Sequence, residues 1–444
     1  MDNIFERKIY GQILRWKREN NGRSALLVEG ARRVGKSTIV EEFAKREYKS
    51  YILVDFNKAS KRVLHLFDDL MDLDYIFLFL QSTYRKTLYQ RESLIIFDEV
   101  QKCPMARQAI KYLVQDGRYD YIETGSLISI KQHTGNITIP SEEDRIEMYP
   151  MDYEEFRWAM GDTATIPLLR KQLEVNRPMG DDINRQYMRD LRLYMLVGGM
   201  PQAVNEYLSS KNMRSVDMVK RKILKLYVDD FRKLDKNGKI GRLFQAIPTM
   251  LSHGVGRFYP TAIIKGVGAD KMEDLLIALE DSKTVNIAYH TTDPCVGMPL
   301  SEDRSRMKMY VCDTGLMVTL AFWDKSFTEN VLYNKLLADH LPANMGYIYE
   351  NLVAQMLRSS GNSLYFYTWA KDERHNYEVD FLLSRGAKLC PIEVKSASCK
   401  SHVSLDTFCG KFSSRIDKRY VVCTKDLRHD GATTFLPVYM VGLI

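Results

Sequence analysis

Ala25-Leu-Leu-Val-Glu-Gly30-Ala-Arg-Arg-Val-Gly35-Lys36-Ser37-Thr38 passes from an apolar run, through a glycine-bounded loop, into a helical pattern. Ala25–Glu29 predicts a buried strand and Ser37–Lys45 a helix. Between them, Gly30–Ser37 fits the spacing GxxxxGK[ST], in the strand–loop–helix setting that pattern needs. The glycines let backbone N–H groups curl around a phosphate, and the positive end of the helix adds to the attraction. Lys36 is placed to neutralise the β- and γ-phosphates and the Ser37 hydroxyl to ligate Mg²⁺. Gly30, Arg33, Val34, Gly35, Lys36, Ser37 and Thr38 are therefore the expected nucleotide-contacting residues, with ATP and Mg²⁺ as the expected cofactors.

Working outward, Tyr51–Phe56, Leu94–Phe97 and Tyr119–Glu123 read as further strands separated by helical stretches, which predicts an α/β domain with a largely parallel sheet. Leu94-Ile-Ile-Phe-Asp98-Glu99 is a buried strand ending in two acids. At the C-terminal edge of such a sheet, Asp98 is expected beside the metal and Glu99 beside the attacking water; alone, the pair would read as solvated acids. After the next strand, Glu123-Thr124-Gly125-Ser126 offers Ser126 or Thr124 to the γ-phosphate or the water, or simply forms a turn. Arg145 reads either as a surface arginine or as a finger, acting within its own chain or on a neighbouring subunit of a homo-oligomer.

From Asp152, a candidate helix cap, to Leu234 the pattern is helical, with Arg185–Leu196 at helical spacing. Ile240–Ser252 and Lys271–Glu280 read as helices, and Thr284–Tyr289 and Lys308–Cys312 as short strands, an order that suggests a winged-helix module. A helix over Tyr347–Leu357 then leads to strands at Leu364–Thr368, Glu378–Leu383, Cys390–Val394 and Arg419–Cys423. The expected domains are 1–155 (ATPase), 156–235 (helical lid or linker), 236–325 (winged-helix-like) and 326–444 (a second α/β unit). In the last, Glu350 on a helix, Asp380 and Glu393-Val-Lys395 make a second constellation. Glu393 and Lys395 share a strand face. Asp380 and Glu393 are candidate ligands of one Mg²⁺, with Lys395 beside a water. The alternative is a retained fold without cleavage.

The 444 residues are 45 % apolar and 27 % charged, with a net charge of +7, which excludes a disordered or collagen-like chain. Asn205–Gln245 holds eleven Lys/Arg against five acids, either a phosphate-attracting stretch or a solvated helix face. Seven cysteines form no CxxC pair, eight histidines form no HExxH, and the clustered Cys390, Cys399, Cys409 and Cys423 read as small core residues. His375 reads as a loop histidine or a ligand. MDNIFERK has no secretory core and no apolar run approaches a membrane span, so a reduced, cytoplasmic protein without a membrane partner is expected.

Gly30–Ser37, Leu94–Gln101, Thr124–Ser126, Val197-Gly-Gly-Met-Pro201, Asp313-Thr-Gly315-Leu and Tyr349-Glu350-Asn-Leu-Val together resemble a prokaryotic family of AAA-type ATPases with a C-terminal domain of unknown function. The resemblance spans nearly the whole chain. It implies a P-loop AAA-type parallel sheet, a helical and winged-helix-like middle, and a C-terminal α/β fold similar to PD-(D/E)XK restriction endonucleases. It places Lys36, Ser37, Asp98 and Glu99 at nucleotide and magnesium positions and Ser126 at a sensor-like, catalytic position. Glu350, Asp380, Glu393 and Lys395 fall at nuclease-like positions. Glu142-Glu-Asp-Arg145 departs from the family's Gly-Arg. The function expected is ATP hydrolysis by a DNA-associated protein whose nucleotide state controls a nuclease-like domain. The alternative is a nucleotide-switched regulator or adaptor that recognises DNA or protein without cutting. No LSGGQ-like signature precedes Asp98, which disfavours a transporter ATPase.

Overall fold

Every residue of Ala25–Glu29 (β1), Ser93–Asp98 (β3) and Asp120–Thr124 (β4) is buried, as expected for strands covered on both faces. In the computed structural model, which describes residues 3–125, 141–252, 257–324, 333, 335, 337–338, 346–373, 375–396, 399 and 401–444, these strands form the centre of a five-stranded sheet. Ser50–Asp55 (β2) and Glu143–Glu147 (β5) form its edges, in the order β2-β3-β4-β1-β5, with every pair parallel. β5 was not expected: Glu143-Asp-Arg-Ile-Glu is a charged, half-exposed edge strand with no apolar run to announce it.

Parallel neighbours need crossovers, and helices supply them. The helix Lys36–Glu47 follows β1, and the helix Pro104–Asp116 joins β3 to β4. The latter starts with proline in its first turn and stops at Gly117 (φ +74°), and it buries Ala106, Ala109, Ile110, Leu113 and Val114. Phe67 and Phe97 meet edge-to-face at 5.3 Å in the core on that side. β4 lies between β1 and β3, so their C-terminal ends stand two strand spacings apart, about 10 Å. The end of β4 is set between them. This unit comprises residues 1–149 and 281–283.

The second unit comprises residues 150–280 and 284–444. It opens with a capping box, in which Asp152 Oδ1 accepts from Glu155 N (2.9 Å) and Glu155 Oε2 accepts from Asp152 N (3.1 Å). Helices Asp181–Val197, Pro201–Ser210 and Met213–Leu234 follow. The helix expected over Ile240–Ser252 is two helices, Lys239–Gln245 and Ile247–Ser252, with Pro248 in the second.

An eight-stranded mixed sheet completes the unit. Its strands are Val285–Thr291 (β6), Glu302–Val311 (β7), Leu364–Ala370 (β8), Asn376–Arg385 (β9), Lys388–Lys395 (β10), Arg419–Cys423 (β11), Arg428–Asp430 (β12) and Thr433–Pro437 (β13). They are ordered β12-β13-β11-β10-β9-β8-β6-β7. β6 pairs antiparallel with β7 and parallel with β8, so the expected wing hairpin is part of this sheet. The expected boundaries at 235/236 and 325/326 both fall inside one unit. Among the described residues, no helix is long and apolar enough to cross a membrane.

Candidate nucleotide site and carboxylate cluster

The loop after β1 adopts backbone conformations that its glycines allow. Gly30 has φ +148°, and a Cβ there would lie 2.2 Å from the Met148 carbonyl oxygen; Gly35, at φ +100°, leads into the helix Lys36–Glu47. Arg33 adopts φ +73° without being glycine. The loop is also held from outside. Arg7 donates through Nη1 to Val34 O (2.8 Å) and through Nη2 to Tyr149 O (2.7 Å), a buried clamp with no sequence motif. Thr38 is exposed on the first turn of the helix Lys36–Glu47.

Lys36 is buried and donates to Gly30 O (2.9 Å) and Ala31 O (3.0 Å). Burial lowers its ammonium from the ordinary 10.5 to about 8, against the opposing pull of Glu99 and Asp98. A triphosphate favours the ammonium form, so binding should take up a proton and weaken as pH rises through 8. Titration calorimetry in two buffers of different ionisation heat checks the sign, and proton release would contradict it.

At the sheet edge, Ser37 Oγ donates to Asp98 Oδ1 at 2.6 Å. Thr124 Oγ1, from the end of β4, donates to the same oxygen and accepts from Glu99 N (3.4 Å). Glu99 has left the strand at φ +57°, and its Oε2 accepts from Gln101 Nε2 at 2.6 Å. Ser37, Asp98, Thr124, Glu99 and Gln101 thus form one hydrogen-bonded chain. Hydroxyl and carboxylate oxygens are the donors Mg²⁺ takes, and so small a set leaves positions for water and phosphate oxygens. Ser126 lies outside the described residues; Thr124, the other candidate for that role, belongs to this chain. Gln101 and Arg7 carried no assigned role in the sequence.

Arg145 pairs with Glu143 Oε1 (2.8 Å) and approaches Glu29 Oε1 (3.8 Å). Glu143 is also held by buried Arg107 through both carboxylate oxygens (3.0–3.2 Å). Beside them, Glu123 is fully buried, and burial followed by Glu143 pushes its carboxyl well above the usual range.

In the second unit the expected nuclease-like residues are all engaged by neighbouring side chains or backbone groups. Lys308 on β7 is buried and contacts Glu378 Oε1 (2.6 Å), Glu350 Oε1 (2.9 Å) and Asp380 Oδ1 (3.5 Å). Tyr310 donates to the same Glu350 oxygen at 2.6 Å. Burial works against the Lys308 charge, but the carboxylates outweigh it and hold the ammonium well above its ordinary value. Burial lifts Asp380 to about 8, with Lys308 opposing and Glu350 and Glu378 adding to the rise. β9 carries a register shift opposite Tyr365–Tyr367, and there Asp380 Oδ2 accepts from Val394 N at 2.8 Å. Glu393 instead pairs with Lys395 (2.6 Å) and accepts from Leu405 N (3.3 Å), at the helix Val403–Lys411. Glu350 and Asp380 thus contact Lys308, Glu393 pairs with Lys395, and Asp380 also reaches the backbone between Glu393 and Lys395 through Val394 N.

Residues 22–157 match the AAA domain family. The N-terminal unit contains an AAA-type ATPase domain. Residues 188–326 and 345–440 match two domains of unknown function (DUF8612 and DUF4143). No curated protein matches the chain. Among solved structures, a Walker-type ATPase of Pyrococcus abyssi is 17 % identical, covering 71 % of this chain and 96 % of that one, at TM-score 0.43. RuvB of Thermotoga maritima is 14 % identical, covering 63 % and 89 %, at TM-score 0.27. Cdc6p of Pyrobaculum aerophilum is 11 % identical, covering 77 % and 97 %, at TM-score 0.24. Likenesses this distant identify no shared function. ATP binding and hydrolysis come with the AAA domain.

Outside the AAA domain, the motifs that carried the resemblance meet at one buried node. Asp313 Oδ2 accepts from Gly199 N (2.5 Å) and its Oδ1 from Leu316 N (2.8 Å). A Cβ on Gly315 would lie 2.6 Å from Gly198, so both glycines are needed for the close approach. Gln355 accepts from Thr314 N (2.7 Å) and donates to Tyr194 Oη (2.8 Å), while Asn351 accepts from Val311 N (2.8 Å). The node ties together residues from both regions of unknown function. The basic stretch contributes to this interior as well. Lys220 and Arg221, expected on a phosphate-attracting or solvated face, are buried; Lys222 is exposed.

Proposed function

We propose that the chain is an ATP-hydrolysing switch whose second unit recognises nucleic acid without cutting it. In the AAA domain, Lys36 and the loop N–H groups would bind the β- and γ-phosphates, and Ser37 and Asp98 would hold Mg²⁺, which when bound offsets charge on the phosphate oxygens. Glu99, aligned by Gln101, would take a proton from the water that attacks the γ-phosphorus, and ADP leaves with the electron pair of the broken bond. Thr124, on both Asp98 and Glu99, would hold metal and water sides in register.

The observation supporting a non-cutting second unit is Lys308. Three carboxylates already surround one tethered ammonium, at 2.6, 2.9 and 3.5 Å. A divalent ion would have to displace that ammonium against its own desolvation cost. Incubating plasmid DNA with the protein and Mg²⁺ or Mn²⁺, with and without ATP, tests the reading. ATP consumption with intact plasmid is expected, and metal-dependent cleavage lost in Asp380→Asn would restore the nuclease reading. Lys308→Met should turn the cluster into a divalent-cation site, so Mn²⁺ should raise the melting temperature of that variant and leave the wild type unmoved. No Mn²⁺ effect on the variant would show that the carboxylates are not arranged around a cation position.

A further inference from the structure

A cavity of about 760 Å³ in the second unit is lined by Arg185, Arg189, Arg192, Lys425, Asp181 and Met188, among others. The three arginines follow each other at spacings of four and three along the helix Asp181–Val197, so they occupy one face. Lys425 comes from the turn between β11 and β12. That turn is fixed against the start of the helix. Asp426 accepts from Met179 N (3.1 Å) and Gly180 N (2.7 Å), Asn184 Nδ2 donates to Thr424 O (3.2 Å), and Tyr439 donates to Asn184 Oδ1 (2.9 Å). Lys425 is therefore held beside the arginine row by bonds that its neighbours make.

Of the acids around this row, Asp190 is paired with Arg157 at 2.6 Å and Asp426 accepts backbone N–H groups, whereas Asp182 is paired with Arg185 of the row itself. Asp181 is the acid in the lining itself. Arg189 from the helix and Lys425 from the turn bring positive charge to the cavity from two elements, which an anion there would meet together. From Arg185 to Arg192 the row runs about 10 Å along the helix, longer than one phosphate group. The described lining has no aromatic ring on which a base could stack.

We propose that this groove holds the phosphate backbone of nucleic acid in a sequence-tolerant manner. The proposal rests on the reading of the second unit as a nucleic-acid recogniser and names the surface that does it. Fluorescence anisotropy of the full chain with a labelled duplex and a labelled single strand, across a salt series, tests both. Wild-type affinity should fall with salt. The double variant Arg189→Gln/Lys425→Gln should weaken binding to unrelated sequences alike and flatten the slope of log K against log salt by about 0.9 per lost duplex contact, or about 0.7 for a single strand. Lys222→Gln, on the exposed face of another helix, should change neither quantity, and an unchanged thermal unfolding profile shows that the variants are folded. Wild-type binding with an unaltered double variant would overturn the groove and leave nucleic-acid recognition standing. If wild type binds neither nucleic acid, both fail, and binding of polyglutamate instead would assign the groove to an acidic protein partner.

Discussion

Lys36→Ala should abolish nucleotide binding, whereas Glu99→Gln should bind ATP normally and fail to turn it over. The two residues act at different stages. Lys36 meets phosphate charge in the ground state from a buried position, and truncating one partner of such a contact costs about 3 kcal/mol or more, roughly a hundredfold or more in Kd. Alanine also removes an ammonium that burial disfavours, so the loss should appear in binding and not in folding. Glu99 acts on the water alone, and removing a general base typically lowers turnover by about 10²–10⁴-fold. Titration with a fluorescent ATP analogue and a phosphate-release assay separate the two. Normal binding by Lys36→Ala would overturn the phosphate-loop assignment, and normal turnover by Glu99→Gln would move the base elsewhere. Thr124→Val should fall between them, because it removes the hydroxyl joining Asp98 to Glu99 while leaving both carboxylates in place.

The AAA domain was legible because its signals are local. Gly30–Ser37 and Leu94–Glu99 each combine an apolar strand with the polar residues that follow it, so motif and element are read together. What was missed there has no local signal. Arg7 reaches the loop from 27 residues away, and β5 is a charged edge strand that pairing with β1 makes a strand. In the second unit, strand positions from β6 to β11 were readable from β-rich runs, while side-chain partners were not. Period-two spacing put Glu393 and Lys395 on one face, and they pair at 2.6 Å. It could not foresee the register shift in β9, nor that Lys308, 42 residues before Glu350 and on a strand read only for its apolar content, would gather three acids. Charge counting could not tell buried from exposed basic residues for the same reason. A lysine in a helix adds one positive charge to a tally whether it faces water or the core, and helix Met213–Leu234 puts Lys220 and Arg221 inside.

That burial makes Asp217 the most damaging position to change outside the nucleotide site. Asp217 is fully buried and accepts from Arg221 Nε (2.7 Å), the Thr319 hydroxyl (2.9 Å) and the Tyr333 hydroxyl (2.9 Å). One residue-turn away, Lys220 donates to Leu196 O (2.5 Å) and Gly315 O (3.2 Å), which joins the same network to the glycine node. Burial lowers Lys220 to about 8, with Asp217 and then Asp313 working to keep it charged. Asp217→Ala removes the carboxylate that offsets the buried charges of Lys220 and Arg221 and the acceptor of three hydrogen bonds, a loss of about 3–5 kcal/mol. Against a total stability of about 5–15 kcal/mol, that is enough to lower the melting temperature by several degrees or prevent accumulation of folded protein. Lys220→Glu should be at least as harmful, because it sets a second carboxylate beside Asp217. Lys220→Met should cost less, since it removes the buried charge and leaves only the two carbonyls unpaired. Lys222→Glu, on the exposed side of the same helix, should stay within about 0.5 kcal/mol of wild type. Thermal unfolding followed by circular dichroism ranks the four. A Lys220→Glu melt equal to that of Lys222→Glu would mean that this side of the helix faces solvent, and the basic stretch would again be a candidate nucleic-acid surface.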